Sequence, residues 1–227
     1  MTSTPPVKRD PAKTARLLFW ALLAVLAGAM VVWYFVFAAG KAAPEAAVPA
    51  GGAQLVREDS HRLTSPAAEK AQLVEFLDFE CESCAEVQPF VDELKAEFGD
   101  RITFVARYFP LPGHANSTTA AVAVEASAQQ GMYQQMYQKM FDTQAQWGEQ
   151  QVSQAALFRS YAQELGLDMA AYDAAVADEK TKERIRTDIA DGTALGVTGT
   201  PTFFLQGQKL ALTTRDAFRQ ALAEAAK

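Results

Sequence analysis

The chain contains two cysteines, and both fall in one tetrapeptide, Cys81-Glu82-Ser83-Cys84. Two thiols in such proximity can pass between dithiol and disulfide, moving two electrons each time. A disulfide that closes so short a loop barely restrains an unfolded chain, because that kind of stabilisation grows with loop length. The pair is therefore a poor staple and a good redox couple. Half of a metal site is the competing use of the same residues. Zinc takes about four ligands, and the only histidines, His61 and His114, each stand alone in the sequence.

A couple of this kind has to be held where one sulfur is activated and the other shielded. The stretch Leu73 to Phe79 is short, apolar and bounded like a buried strand, and the residues from the cysteines to Gly99 read as a helix. A Cys-x-x-Cys where a strand meets a helix start is the thioredoxin arrangement. Pro89 falls inside the helix and predicts a kink there. Arg101 to Phe109 alternates as a second strand, and a strand–helix–strand unit of this size implies parallel pairing. Leu55-Val56-Arg57 reads as an edge strand opening the domain.

Between about 115 and 195 the chain is strand-poor and rich in Ala, Gln and Glu. Helical periods run through 117–130, 132–143, 153–165, 169–177 and 179–195, with breaks at Gly131, Gly148 and Gly166. The Met132, Met136, Met140 stripe fits core packing better than a cofactor box. Strand character returns at Thr202 to Leu205, followed by a Gln206-Gly207 turn and a return strand at Lys209 to Leu212, a β-hairpin. A helix over about 214–226 closes the domain. The fold class is α/β, with a small sheet interrupted by a helical insertion.

The second informative motif is Gly196-Val197-Thr198-Gly199-Thr200-Pro201-Thr202. A proline at the head of a strand removes a ladder donor and needs a reason. Taken with VEFLDFECESC, RYFPLPGHANSTTAA, QQGMYQQMYQKMFDTQAQW, YAQELGLD and GVTGTPTFFLQGQKL, it makes residues 55–227 resemble the DsbA-like thiol–disulfide oxidoreductases of the thioredoxin superfamily, in their membrane-anchored bacterial form. The resemblance implies that Cys81 is the exposed attacking thiolate, favoured by the helix N-terminus, and that Cys84 is the resolving partner. It implies that Thr200 and Pro201 form a cis-proline pair that receives a substrate segment, and that no cofactor is needed. Glu75 matches an acidic position beneath the active site. It is either a proton carrier for Cys84 or a carboxylate at a solvated strand end. His114, in a Pro-Gly loop, is expected to cap or to lie on the surface and stays outside the site.

The implied activity is the introduction of disulfides into exported proteins, through a mixed disulfide on Cys81. A quinone-linked membrane partner would reoxidise the couple. A reductase or isomerase could use the same residues, and a thioredoxin-fold binding or chaperone module could have lost the activity. Strongly oxidising relatives carry Pro-His or similar between the cysteines, whereas this chain has Glu82-Ser83, with Glu80 and Glu86 close by. The added negative charge predicts a less acidic Cys81 and a less oxidising disulfide than a histidine would give.

The N-terminal part sets the expected location. Leu17 to Phe37 is 21 residues without a charge, long enough at about 1.5 Å per residue to cross a bilayer core. Trp20 and Trp33-Tyr34 mark its ends, and Lys8, Arg9, Lys13 and Arg16 precede it, which predicts a cytoplasmic tail at 1–16 and an exported remainder. A cleaved signal peptide ending near Ala38-Ala39-Gly40 is the alternative, disfavoured because secretory apolar regions run about 7–15 residues. Residues 38–54 read as an Ala/Pro/Gly-rich tether. Residues 41–227 carry 17 basic and 26 acidic side chains, a formal −9. That balance argues against nucleic acid and anionic lipid headgroups as partners, and a monomer is expected.

Overall fold

The computed structural model describes residues 52–211 and 214–227, together with positions 20, 23, 26, 28 and 30. Its contacts divide the chain into residues 1–45 and 46–227, and the second unit carries the fold. The expected tail at 1–16, the apolar run 17–37 except for those five positions, and all but the end of the 38–54 tether lie outside the described residues. Among the described residues no helix is long and apolar enough to cross a membrane.

Five strands form one mixed sheet: β1 (His61–Arg62), β2 (Ala71–Leu77), β3 (Ile102–Tyr108), β4 (Thr202–Leu205) and β5 (Gln208–Lys209), in the order β1-β3-β2-β4-β5. β2 and β3 pair in parallel, as the strand–helix–strand spacing requires, and the other neighbours are antiparallel. Between β2 and β3 runs α1 (Glu82–Phe98), a single helix with Pro89 inside it. The helical insertion follows β3 as α2 (Ser117–Ala128), α3 (Tyr133–Trp147), α4 (Ala155–Glu164), α5 (Met169–Ala177) and α6 (Glu179–Ala194), and α7 (Arg215–Ala225) ends the chain.

The strand period places alternate residues on opposite faces, and both faces are covered. Leu73, Ile102, Phe104 and Phe203 pack with Phe90, Val91, Leu94 and Phe98 of α1 and with Phe218 and Leu222 of α7. Val74, Phe76, Val105 and Phe204 form the opposite face with Val197 and partly buried Ile189 and Leu195. Full burial of each large apolar side chain stabilises the fold by about 1.5–3 kcal/mol. The insertion packs into a core that it shares with Leu77, Ala106, Tyr108 and the two cysteines, in which Met136, Met140, Tyr137, Trp147 and Phe158 are buried, so the methionine stripe is packing.

One expected strand is displaced. Residues 55–57 are not paired; the edge strand is β1, four residues later. Leu55 and Val56 instead pack beneath the Val74–Phe204 face. The Arg57 amide donates to Ser60 Oγ at 2.8 Å, and its guanidinium donates to Asp191 Oδ1 at 2.8 Å. Buried Arg107 on β3 completes the tie, donating to the carbonyls of Gln54 and Leu55 at 3.0 and 2.7 Å and to Asp188 and Asp191 of α6, each at 2.7 Å. A charge of that depth is tolerable because every donor direction is used. At the hairpin, Gln206 (φ 51°) and Gly207 (φ 80°) are both left-handed, the two-residue turn that matches strand twist. Pairing there covers Gln208 and Lys209, with a further bond from the Leu210 amide to the Phe203 carbonyl at 2.9 Å; residues 212–213 lie outside the described residues.

Candidate active site

The two cysteines meet at the N-terminus of α1 as a free dithiol. Cys81 is the N-cap and Cys84 lies one turn inward. Cys81 keeps 8% of its surface exposed, whereas Cys84 keeps 1%. An external sulfur can therefore reach the first and not the second.

Their chemistry diverges accordingly. A hydrogen bond with Cys84 pulls the Cys81 thiol down to about 5, against the opposition of burial; Thr200 and the amides of Cys84 and Ser83 add to the pull. These groups all stabilise negative charge on sulfur, as helix N-termini do. Burial pushes Cys84 well up, and its hydrogen bond to Cys81 and the charge of Glu75 push it further. Glu82, Glu86 and Glu80 are not among the main influences on Cys81. Glu82 and Glu86 point to solvent, where screening weakens them.

Opposite the pair, the Thr200–Pro201 bond is cis, and Cys81 Sγ lies 3.4 Å from the Thr200 carbonyl, to which a protonated thiol donates. A thiolate cannot make that bond. The Thr200 hydroxyl is buried without a hydrogen-bond partner, and the Thr200 side chain is among the groups that lower the Cys81 thiol. The structure thus brings Cys81, Cys84, Thr200 and Pro201 to one place.

Glu75 occupies the middle of the central strand β2, in register with Ala106 on one side and Phe203 on the other. It is 4% exposed, so the solvated strand end allowed by the sequence is corrected: the strand continues to Leu77 and both neighbours cover it. Burial raises its carboxyl to about 8, with Lys95 opposing. No hydrogen bond within the described residues satisfies it. A carboxylic acid near neutrality beside a raised thiol is suited to carrying a proton.

One residue near the pair, Asp78, escaped the sequence reading, and two others, Glu80 and His114, make contacts it did not assign them. Asp78 and Glu80, at the end of β2, are each 1% exposed. Asp78 accepts from the amides of Glu80 and Leu111 at 2.9 and 3.0 Å. Glu80 accepts from the amides of Asn116 and Glu149 at 2.6 and 3.2 Å, so it anchors the insertion and is not a free charge beside Cys81. His114, expected to cap or to lie on the surface, places Nδ1 2.6 Å from Asp78 Oδ2 with its side chain 29% exposed. The signal available was the alternation Asp78-Phe79-Glu80 at the end of a buried strand, where lone carboxylates require donors.

No cluster of three or more His, Cys, Asp or Glu side chains that could hold a metal ion occurs among the described residues.

A thioredoxin family model matches residues 58–224. Among curated relatives, the Na(+)/H(+) antiporter NhaA of Herminiimonas arsenicoxydans is 37% identical over 152 residues, 65% of this chain and 22% of that protein. An NhaA 1 antiporter of Mycolicibacterium vanbaalenii is 36% identical over 140 residues, 60% of this chain and 21% of that protein. The chain thus spans about a fifth of the length of these relatives. Among solved structures, Wolbachia pipientis alpha-DsbA1 superposes with TM-score 0.66 at 20% identity, covering 76% of this chain and 93% of its own. Bacillus subtilis BdbD gives TM-score 0.65 at 17% identity, covering 77% and 96%. A thioredoxin-like oxidoreductase from Silicibacter pomeroyi gives 0.62 at 23%, covering 75% and 93%. The fold is theirs, and with the family model matched across the whole domain, from before β1 into the last helix, this chain belongs to the thioredoxin family.

Proposed function

We propose that the chain is an extracytoplasmic thiol–disulfide oxidoreductase that introduces disulfides into exported proteins. The observation that carries this is the split between the two sulfurs: Cys81, the more exposed of the two, pulled down to about 5 at the start of α1, and Cys84 pushed up one turn further in. A dithiol stabilised through a thiolate is the weaker reductant, and its disulfide the better oxidant.

In the cycle, a substrate thiolate attacks Cys81 Sγ of the Cys81–Cys84 disulfide. The enzyme S–S bond breaks, a mixed disulfide forms, and Cys84 leaves as a thiolate that takes a proton from Glu75. A second substrate thiol, on losing its proton, attacks the substrate sulfur of the mixed disulfide. The substrate leaves oxidised by two electrons and Cys81 departs as a stabilised thiolate. Thr200 and Pro201 border the sulfur and receive the substrate segment. Exported proteins supply the thiols; a quinone-linked membrane partner would take the electrons. A membrane helix at Leu17–Phe37 with residues 1–16 in the cytoplasm would place a monomeric domain outside the membrane. The antiport activity named for the longer relatives is not extended to this chain.

A reductase or isomerase uses the same residues, and potential separates them. The test is an equilibrium titration of the full chain against glutathione. A potential of about −120 to −180 mV supports the oxidase. A value near or below about −250 mV overturns it in favour of a reductant. Failure to exchange at all leaves a binding module.

A further inference from the structure

The Cys81-Glu82-Ser83-Cys84 motif has no basic residue between its sulfurs, yet a histidine from another part of the chain is held on Asp78, three residues before Cys81. His114 lies in the loop between β3 and α2, and Nδ1 sits 2.6 Å from Asp78 Oδ2. Asp78 is not a casual partner. It is three residues from Cys81, its side chain is fully buried, and its own carbonyl accepts the Cys81 amide at 3.1 Å. Its carboxylate is fixed by the Glu80 and Leu111 amides, so the imidazole is held rigidly against the turn that delivers Cys81. The charged and titratable groups around it are Asp78, Glu80 and Cys81 itself.

We propose that His114, anchored on Asp78, is a positioning residue for the redox couple: its charge holds Cys81 as a thiolate and makes the Cys81–Cys84 disulfide more oxidising. This inference rests on the oxidoreductase reading above. The chemistry is balanced by glutathione. Two glutathione thiols reduce the protein disulfide and become one glutathione disulfide; Cys84 keeps one proton, and Cys81 releases the other, a release that the charge on His114 favours. Partial burial opposes the charge on His114, but the hydrogen bond and charge of Asp78, followed by Glu80 and Cys81, raise it above the ordinary value. The imidazolium therefore persists into the range where Cys81 is ionised. Above that range it loses its proton and its effect vanishes.

Linkage makes the interaction measurable from either end, because coupling between two sites is reciprocal. The chain has two histidines, so two imidazole resonances are to be followed by NMR in the full-length protein, with His61 as the internal control. The His114 midpoint should lie higher in the reduced protein than in the disulfide form by about half a unit to one unit, the size of a nearby partly screened charge. His114→Gln keeps a hydrogen-bonding group on Asp78 and loses the charge. It should raise the Cys81 midpoint, read by thiolate absorbance, by the same amount. It should also shift the glutathione equilibrium about threefold to tenfold toward the protein disulfide at pH 6, with the difference gone by pH 9. His114→Lys should restore part of that shift.

Equal His114 midpoints in the two redox states overturn the inference without any variant. So does a His114→Gln effect of the same size at pH 6 and pH 9, which a packing defect would produce. If the wild-type couple does not exchange with glutathione at all, the underlying redox function fails instead, and the two failures are told apart.

Discussion

At the scale of the residue, the site depends on pushing neighbouring groups in opposite directions. Cys81 and Cys84 start from the same ordinary thiol and separate because one has donors and the other has burial. Glu75 can serve as the acid between them because its carboxyl, raised to about 8, still holds a proton near neutrality. Glu75→Gln should slow formation of the mixed disulfide by about tenfold to hundredfold and remove the inflection near 8 from the pH profile, followed by stopped-flow exchange. An unaltered profile would remove Glu75 from the proton path. The same residue has a cost in stability. A carboxyl whose folded value is raised binds more protons folded than unfolded, so between about 4.5 and about 8 its contribution weakens as pH rises. Denaturation of wild type and Glu75→Gln across that window should show the variant gaining relative stability with pH, on the order of a few kcal/mol. Glu82→His is the complementary change at the exposed end. Replacing a carboxylate by an imidazole beside Cys81 should make the couple more oxidising, about threefold in the glutathione equilibrium; no change would show that the dipeptide does not set the potential. The cysteine pair was legible in the sequence because spacing narrows its use, and Pro201 through the resemblance carried by the segment around it. His114 was not, because its role depends on Asp78, 36 positions away, and nothing in a loop histidine announces a buried carboxylate partner.

At the scale of the element, the helices of the insertion were legible to within a few residues because glycines and apolar periods bound them. The misplaced edge strand shows what pattern alone lacks. Leu55-Val56-Arg57 has the composition of a strand, but Arg107 and Asp191 compete for its backbone and side chain, and no local signal records that contest. α6 packs on this face, and at Gly192 it leaves no room for a side chain beside Phe76 and Phe109. A Cβ there would lie 2.7 Å from Phe109 Cδ2 and 3.0 Å from Phe76 Cδ1, with both rings buried. Gly192→Ala should therefore destabilise the domain by about 1–3 kcal/mol, the usual cost of overpacking, even though alanine is the better helix former. Thermal unfolding would check it. A variant at least as stable as wild type would mean that the Phe76–Phe109 pair repacks freely.

At the scale of the whole molecule, location decides what the chemistry is for, because thiols outside the cytoplasm are generally oxidised and those inside are kept reduced. The proposed anchor at Leu17–Phe37 and the acidic domain beyond it make a prediction that the domain's own cysteine count renders simple to read. With two cysteines in the chain, and with Cys84 buried and its thiol pushed up, a maleimide reports Cys81 alone. In cells expressing the full chain, mildly reduced and then exposed to a maleimide that cannot cross the inner membrane, Cys81 should be labelled before lysis, and Cys81→Ser should abolish the signal. The labelled protein should remain with the membrane fraction after alkaline extraction, as an inserted helix does and a peripheral domain does not. Labelling only after lysis would place the couple on the reducing side, where a disulfide of this kind would be spent by the thiol pool and could not be a donor. Labelling before lysis, with the protein released by extraction, would instead mean that the apolar run is removed as a signal peptide and that the domain works free of the membrane.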